Sequence, residues 1–207
     1  MRNIQLVAFD CDGVMFDTTE ANKAYYNKIL AQFGRPEMDE DQFAYSHMHT
    51  ADESVAYLFS DKDQFEAAQA YRKTMTYKPF IRYMEIEPFL KPLLKNLRPA
   101  YKTAIVTNRT DTMPQVLEEF DLASYFDLVI TALDSDRPKP HPDPLIMALE
   151  HFKIDPSHAI YVGDSEVDEA AAKAAGVPFV AYDNRSLDAE FHITGLEQIG
   201  DILSDNQ

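Results

Sequence analysis

The chain has 207 residues, which suits one large domain or a domain carrying a smaller insert. Its 35 acidic residues against 19 basic ones leave a formal charge of −16, which argues against nucleic acid and anionic membrane surfaces as partners. With 45% hydrophobic residues it can bury a sizeable core, and its single cysteine, Cys11, allows no internal disulfide and points to a reducing, cytoplasmic setting.

Met1-Arg2-Asn3 leads straight into an apolar strand pattern with no signal-peptide run, and no stretch approaches the ~20 apolar residues that span a bilayer. Residues 4–9, "IQLVAF", read as a buried strand that continues into "DCDGVMFD". Side chains two apart on a strand share a face, so Asp10 and Asp12 gather just past its end while Cys11 points elsewhere. Two such carboxylates repel unless a cation lies between them or one is protonated. One of them can act as a nucleophile and the other as a general acid and base. Gly13 permits a tight turn after them, and Asp17 reads as a cap for the next helix.

Residues 18–85 read as helices throughout. Tyr26, Ile29, Leu30 and Phe33 stand at helical spacing and end at Gly34, and "ADESVAYLFS" and "DKDQFEAAQAYRKTMTY" continue the pattern. The expectation is an all-helical insert at 18–85 within a domain formed by 1–17 and 86–207. Tyr25, Tyr26, Phe43, Tyr45, Tyr57 and Phe59 are expected in the core of this insert, with Lys23 and Lys28 on its surface. His47, His49 and Arg72 are candidates for contact with a ligand; the two histidines lack a third partner for a metal.

Four further strands follow, at 102–107, 126–132, 159–163 and 177–182, with helices at Met113–Phe120, Pro144–Phe152 and Val167–Ala175 between them. Strands alternating with helices predict an α/β fold, a Rossmann-like parallel sheet with helices on both faces. Ligands of such sheets bind beyond the carboxyl ends of the strands. Three more polar clusters fall there. "VTNRT" offers Thr107 and Asn108, whose hydroxyl, amide and backbone N–H groups could take phosphate oxygens, and Arg109, either a substrate contact or half of a salt bridge. "RPKPHPDP" holds Lys139 among four prolines; by itself it reads as an exposed turn. "GDSEVD" places Asp164 and Asp168 a helical turn apart, and Asp168 also suits a helix cap.

In this order, "DCDGV", "VTN", Lys139 and "GDSEVD" resemble the four motifs of the haloacid dehalogenase superfamily of phosphohydrolases, in the branch of phosphoglycolate phosphatase and β-phosphoglucomutase with a helical cap. The resemblance runs from Leu6 to about Val180, and residues 18–85 fall where that family carries its cap. It implies Asp10 as nucleophile and Asp12 as the group that protonates the leaving oxygen and later activates water. It implies Mg²⁺ held by Asp10, the backbone carbonyl of Asp12 and Asp164, with Asp168 supporting through water. Thr107 and Asn108 would take phosphate oxygens and Lys139 would balance charge.

The dehalogenase branch lacks an aspartate at the position of Asp12, so carbon–halogen cleavage is not expected. The Gly-x-Ser-Arg turn common in mutase caps is replaced here by "HMHTADES", which favours a phosphatase over a phosphomutase. The complete residue set argues against a third reading, a non-catalytic binder of a phosphorylated ligand. A small phosphorylated metabolite is the expected substrate, and a monomer or weak homodimer the expected state.

Overall fold

The computed structural model of the chain describes residues 3–205. Strand β1 (Leu6–Phe9) is wholly buried and stops at Asp10. A two-residue strand β2 (Phe16–Asp17) leads into helices α1 (Thr19–Gln32), α2 (Glu40–Met48), α3 (Ala51–Leu58), α4 (Lys62–Arg72) and α5 (Lys78–Ile81). Strand β3 (Glu85–Ile86) then pairs antiparallel with β2, Phe16 opposite Ile86, so the chain enters and leaves the helical segment through one small ribbon. After it come α6 (Leu90–Leu97), β4 (Lys102–Val106), α7 (Met113–Glu119), β5 (Leu128–Ile130) and α8 (Asp143–Phe152). The chain closes with β6 (Ala159–Gly163), α9 (Glu166–Ala175), β7 (Phe179–Tyr182), β8 (Phe191–Ile193) and α10 (Ile199–Asp205).

Six strands form one sheet in the order β5-β4-β1-β6-β7-β8, with every pairing parallel. Alternate residues of each strand feed opposite faces. Val7, Phe9, Ile105 and Val162 pack with Leu90 and Leu94 of α6 and Met113 and Val116 of α7. Leu6, Ala8, Val106 and Tyr161 pack on the other face with Leu145 and Ala148 of α8 and Ala171 and Ala172 of α9. Burial on both faces is why these strands read as unbroken apolar runs. Because β1 lies between β4 and β6, the carboxyl ends of those three strands put Asp10, Thr107 and Asp164 side by side.

The helical segment behaves locally as its sequence predicts. Asp17 accepts the backbone N–H of Thr19 at 2.9 Å, and α1 ends at Gly34, whose φ of +65° and neighbouring bonds to Leu30 and Ala31 close the last turn. Tyr25, Tyr26 and Phe59 are buried, but Tyr57 is 47% exposed and stacks on Tyr45 at 4.2 Å, so it is a surface residue rather than core. The predicted strands at 126–132 and 177–182 shorten to β5 and β7. Among the described residues no helix is long and apolar enough to cross a membrane.

Candidate active site

The turn after β1 fixes the first two carboxylates. Asp10 donates its backbone N–H to the Val162 carbonyl at 2.9 Å, and Met15 and Phe16 both donate to the Cys11 carbonyl, at 3.0 and 3.2 Å. Gly13 turns the chain at φ +76°, and a Cβ there would lie 2.0 Å from Oδ2 of Asp164. Only glycine lets the two loops close on each other at this point. Cys11 is buried, and burial, reinforced by Asp12, pushes its thiol far above the usual range, which leaves it inert.

Lys139 sits at the centre of the acidic group. It is 2% exposed, so the exposed turn expected of its proline-rich loop does not hold. Its ammonium lies 2.6 Å from Oδ1 of Asp168, 2.9 Å from the Tyr161 hydroxyl and 2.8 Å from Oδ1 of Asp10. Asp168 is fully buried; its Oδ1 also lies 2.8 Å from the Tyr161 hydroxyl, and its Oδ2 accepts from the hydroxyl and backbone N–H of Ser165. Both Asp168 oxygens therefore have protein donors, and the helix cap and the anchor for Lys139 are one carboxylate.

Asp10 differs. Its buried Oδ1 meets the ammonium as an ion pair and has no further hydrogen-bond partner among the described residues. Burial, opposed by Lys139 and assisted by Asp168 and Asp12, pushes the Asp10 carboxyl up to about 7. Burial and the charges of Asp168 and Asp10 raise Asp164 in the same way. Lys139 is held above its ordinary range: burial works against it, and Asp10 and Asp168 outweigh that. One oxygen from each of Asp10, Asp164 and Asp168 lies within 4.8 Å of the others.

The residues after β4 take unequal parts. Thr107 uses its backbone N–H on the Ile130 carbonyl at 3.0 Å, and its Oγ1 accepts the Arg109 N–H at 3.1 Å, which leaves the hydroxyl proton to offer. The side chain of Asn108 accepts from the Lys139 N–H at 3.1 Å and donates to the Lys139 carbonyl at 3.0 Å. That amide holds the Lys139 backbone instead of facing an anion, as the sequence suggested it would. Arg109 forms the salt bridge, not a free contact: Nε and a terminal nitrogen meet Oδ2 and Oδ1 of Asp12 at 2.8 and 2.7 Å. Burial opposes the ionised form of Asp12, but Arg109 overcomes it and holds the carboxyl below its ordinary range.

These residues floor a cavity whose other wall comes from the helical segment. His47, His49 and Arg72 all line it, as do Asn22, Ser46 and Tyr77. Asn22 reaches His47 at 3.2 Å and accepts the Tyr77 hydroxyl at 3.0 Å, and burial lowers the His47 imidazole, favouring its neutral form. Arg72 is buried against Asp52 at 2.5 Å.

The profile of the haloacid dehalogenase-like hydrolases matches residues 7–182. The chain belongs to that family. Phosphoglycolate phosphatase of Escherichia coli K12 is 32% identical to this hydrolase, with 86% of this chain and 81% of that protein covered. A haloacid dehalogenase superfamily hydrolase from Geobacter sulfurreducens superposes with a TM-score of 0.79 at 40% identity, over 97% of this chain and 96% of that one. The β-phosphoglucomutase of Clostridium difficile shares the fold, with a TM-score of 0.83 over 98% of each chain at 18% identity.

The acidic end of this hydrolase fits a hard divalent cation. Carboxylate and carbonyl oxygens are the donors such ions prefer. The Asp10 oxygen, met by Lys139 and by no other donor among the described residues, and the raised Asp10 and Asp164 carboxyls are what a cluster arranged for added positive charge would show without it. Tyr161, Asn22, Ser46 and Tyr77 carry no signal in the sequence that marks them for the site. Tyr161 stands inside "AIYVG", where a tyrosine that holds Lys139 looks the same as one that only packs.

Proposed function

We propose that this enzyme is a Mg²⁺-dependent phosphatase that hydrolyses a small phosphorylated metabolite through a phosphorylated Asp10. The observation that carries the reading is the Asp10 carboxylate: buried, paired at Oδ1 with a buried ammonium at 2.8 Å, and given no further partner at that oxygen among the described residues. A buried carboxylate held by a single fixed cation keeps electron pairs to share with an electrophile. The naming of the Escherichia coli relative as a phosphoglycolate phosphatase supports phosphate as the group attacked.

In this scheme Asp10 attacks phosphorus, forming an acyl phosphate as the ester P–O bond breaks. Asp12, once protonated from solvent, gives that proton to the leaving oxygen, then takes one from the water that attacks phosphorus and returns Asp10 to a carboxylate. Thr107 offers its hydroxyl, and Asn108 its backbone N–H, to the phosphate oxygens; Lys139 balances the charge of Asp10 and phosphate. Asp10, Asp164 and the backbone carbonyl of Asp12 would hold Mg²⁺, with Asp168 in support. The ion supplies positive charge that lets an anionic carboxylate approach an anionic phosphate. Residues 18–85 serve as a cap that selects the substrate, over a catalytic domain formed by 1–17 and 86–207.

The test is hydrolysis across a panel of phosphorylated metabolites, with Mg²⁺ and after treatment with EDTA. Release of phosphate that EDTA abolishes and Mg²⁺ restores is the expected result. Full activity in metal-free protein would contradict the metal's role. Phosphoryl returned to another position of the substrate instead of to water would indicate a phosphomutase.

A further inference from the structure

Asp12 must give up a proton and later accept one, yet both of its oxygens are already held. The Arg109 fork occupies Oδ1 at 2.7 Å and Oδ2 at 2.8 Å, and Asn22 adds a third contact to Oδ1 at 3.4 Å. Paired parallel N–H bonds to a carboxylate are among the strongest ion-pair geometries, and these two side chains are only 6% and 15% exposed. With the fork closed, a leaving group or a water can meet Asp12 only by sharing an oxygen with Arg109. Opening it unaided would strand two buried charges, which is strongly unfavourable. An anion that takes Arg109 in exchange removes that obstacle.

The same cavity is lined by further groups suited to an anion. Arg109 lies against the ring of Tyr77 at 4.8 Å, which keeps the guanidinium at the cavity wall. A second buried guanidinium, Arg72, lines the cavity from the helical segment. Ser46, 3% exposed, lines it too, and its hydroxyl has no hydrogen-bond partner among the described residues.

We propose that Arg109 is a gate on Asp12, opened by a second anionic group of the substrate, a carboxylate or further phosphate close to the ester oxygen. That group draws the guanidinium away and frees Asp12, so esters without it bind but turn over slowly. Arg109 is thus a positioning residue, and selectivity falls on kcat as well as on KM. The gate rests on the phosphatase reading above.

The experiment compares phosphoglycolate with its uncharged amide, phosphoglycolamide, in the Mg²⁺-loaded enzyme. In the wild type kcat for the amide should be lower by about tenfold or more, up to the ~10²–10⁴-fold that general acid–base catalysis contributes. Arg109→Gln removes the fork, so kcat for the amide should rise above the wild-type value and the gap should close; Arg109→Lys, which can hold one oxygen only, should fall between. A Gln variant that raises KM for phosphoglycolate without raising kcat for the amide would make Arg109 a simple binding residue and overturn the gate.

A second measurement needs no turnover. In Asp10→Asn protein with Mg²⁺, the ¹⁵N resonance of Arg109 Nε should move on saturation with phosphoglycolate and stay with phosphoglycolamide. Equal shifts, or none, would overturn the gate. Failure of the wild type to hydrolyse either ester would instead count against the phosphatase reading, with the resonance still deciding the gate.

Discussion

Lys139 carries more of the site than any other single side chain, because its ammonium is the buried partner of Asp10 at 2.8 Å, Asp168 at 2.6 Å and Tyr161 at 2.9 Å. Lys139→Met should leave buried carboxylates uncompensated and cost about 3–5 kcal/mol, the range for breaking a buried ion pair from one side. Urea unfolding checks this, and Mg²⁺ should recover part of the loss. Asp10 makes a pH prediction with a definite sign. Its carboxyl sits at about 7 in the folded chain against an ordinary 3.8, so the folded state holds that proton more tightly than the unfolded one. Its contribution to stability is complete below about pH 4 and disappears as pH rises through about 7. Metal-free protein should therefore lose stability between about pH 4 and 7, and Mg²⁺, by favouring the carboxylate, should flatten the profile. A metal-free profile that rises over that interval would contradict the assignment.

Elements place these residues by their ends. The loops after β1, β4 and β6 meet because β1 lies between the other two strands. Gly13→Ala would put a methyl carbon 2.0 Å from Oδ2 of Asp164 and strain a backbone at φ +76°. It should weaken Mg²⁺ binding, read by isothermal titration, and lower stability by about 1–2 kcal/mol. The strands that carry the site were legible because burial on both faces makes them unbroken apolar runs. Helix α6 was not, because Pro92 interrupts its pattern, although a proline in the first turn costs no internal hydrogen bond. The ribbon strands β2 and β3 have two residues each and β8 three, too few for a periodic signal.

At the scale of the whole molecule, the helical segment supplies one wall of the cavity and the sheet supplies the other. Substituting His47, His49 or Arg72 should therefore change relative rates among phosphorylated metabolites more than it changes hydrolysis of a generic aryl phosphate. Equal losses on every substrate would place these residues in folding. The carboxylates could be read from the sequence because charged groups at the ends of buried apolar strands are costly to desolvate unless something pairs with them, whereas Lys139, in a loop that by itself reads as exposed, came only with the resemblance. Their partners could not. Arg109 finds Asp12 across 97 residues and Asn108 finds Lys139 across 31, and packing, not local pattern, decides such pairings. The central claim is that Asp10 is the nucleophile and Asp12 the acid and base, and trapping the intermediate tests it most directly. Asp12→Asn protein with Mg²⁺, mixed rapidly with a phosphate ester of a good leaving group and quenched in acid, should show a burst and carry phosphate on Asp10. Asp10→Asn should show neither. Phosphate on another residue, or a burst in Asp10→Asn, would contradict the account.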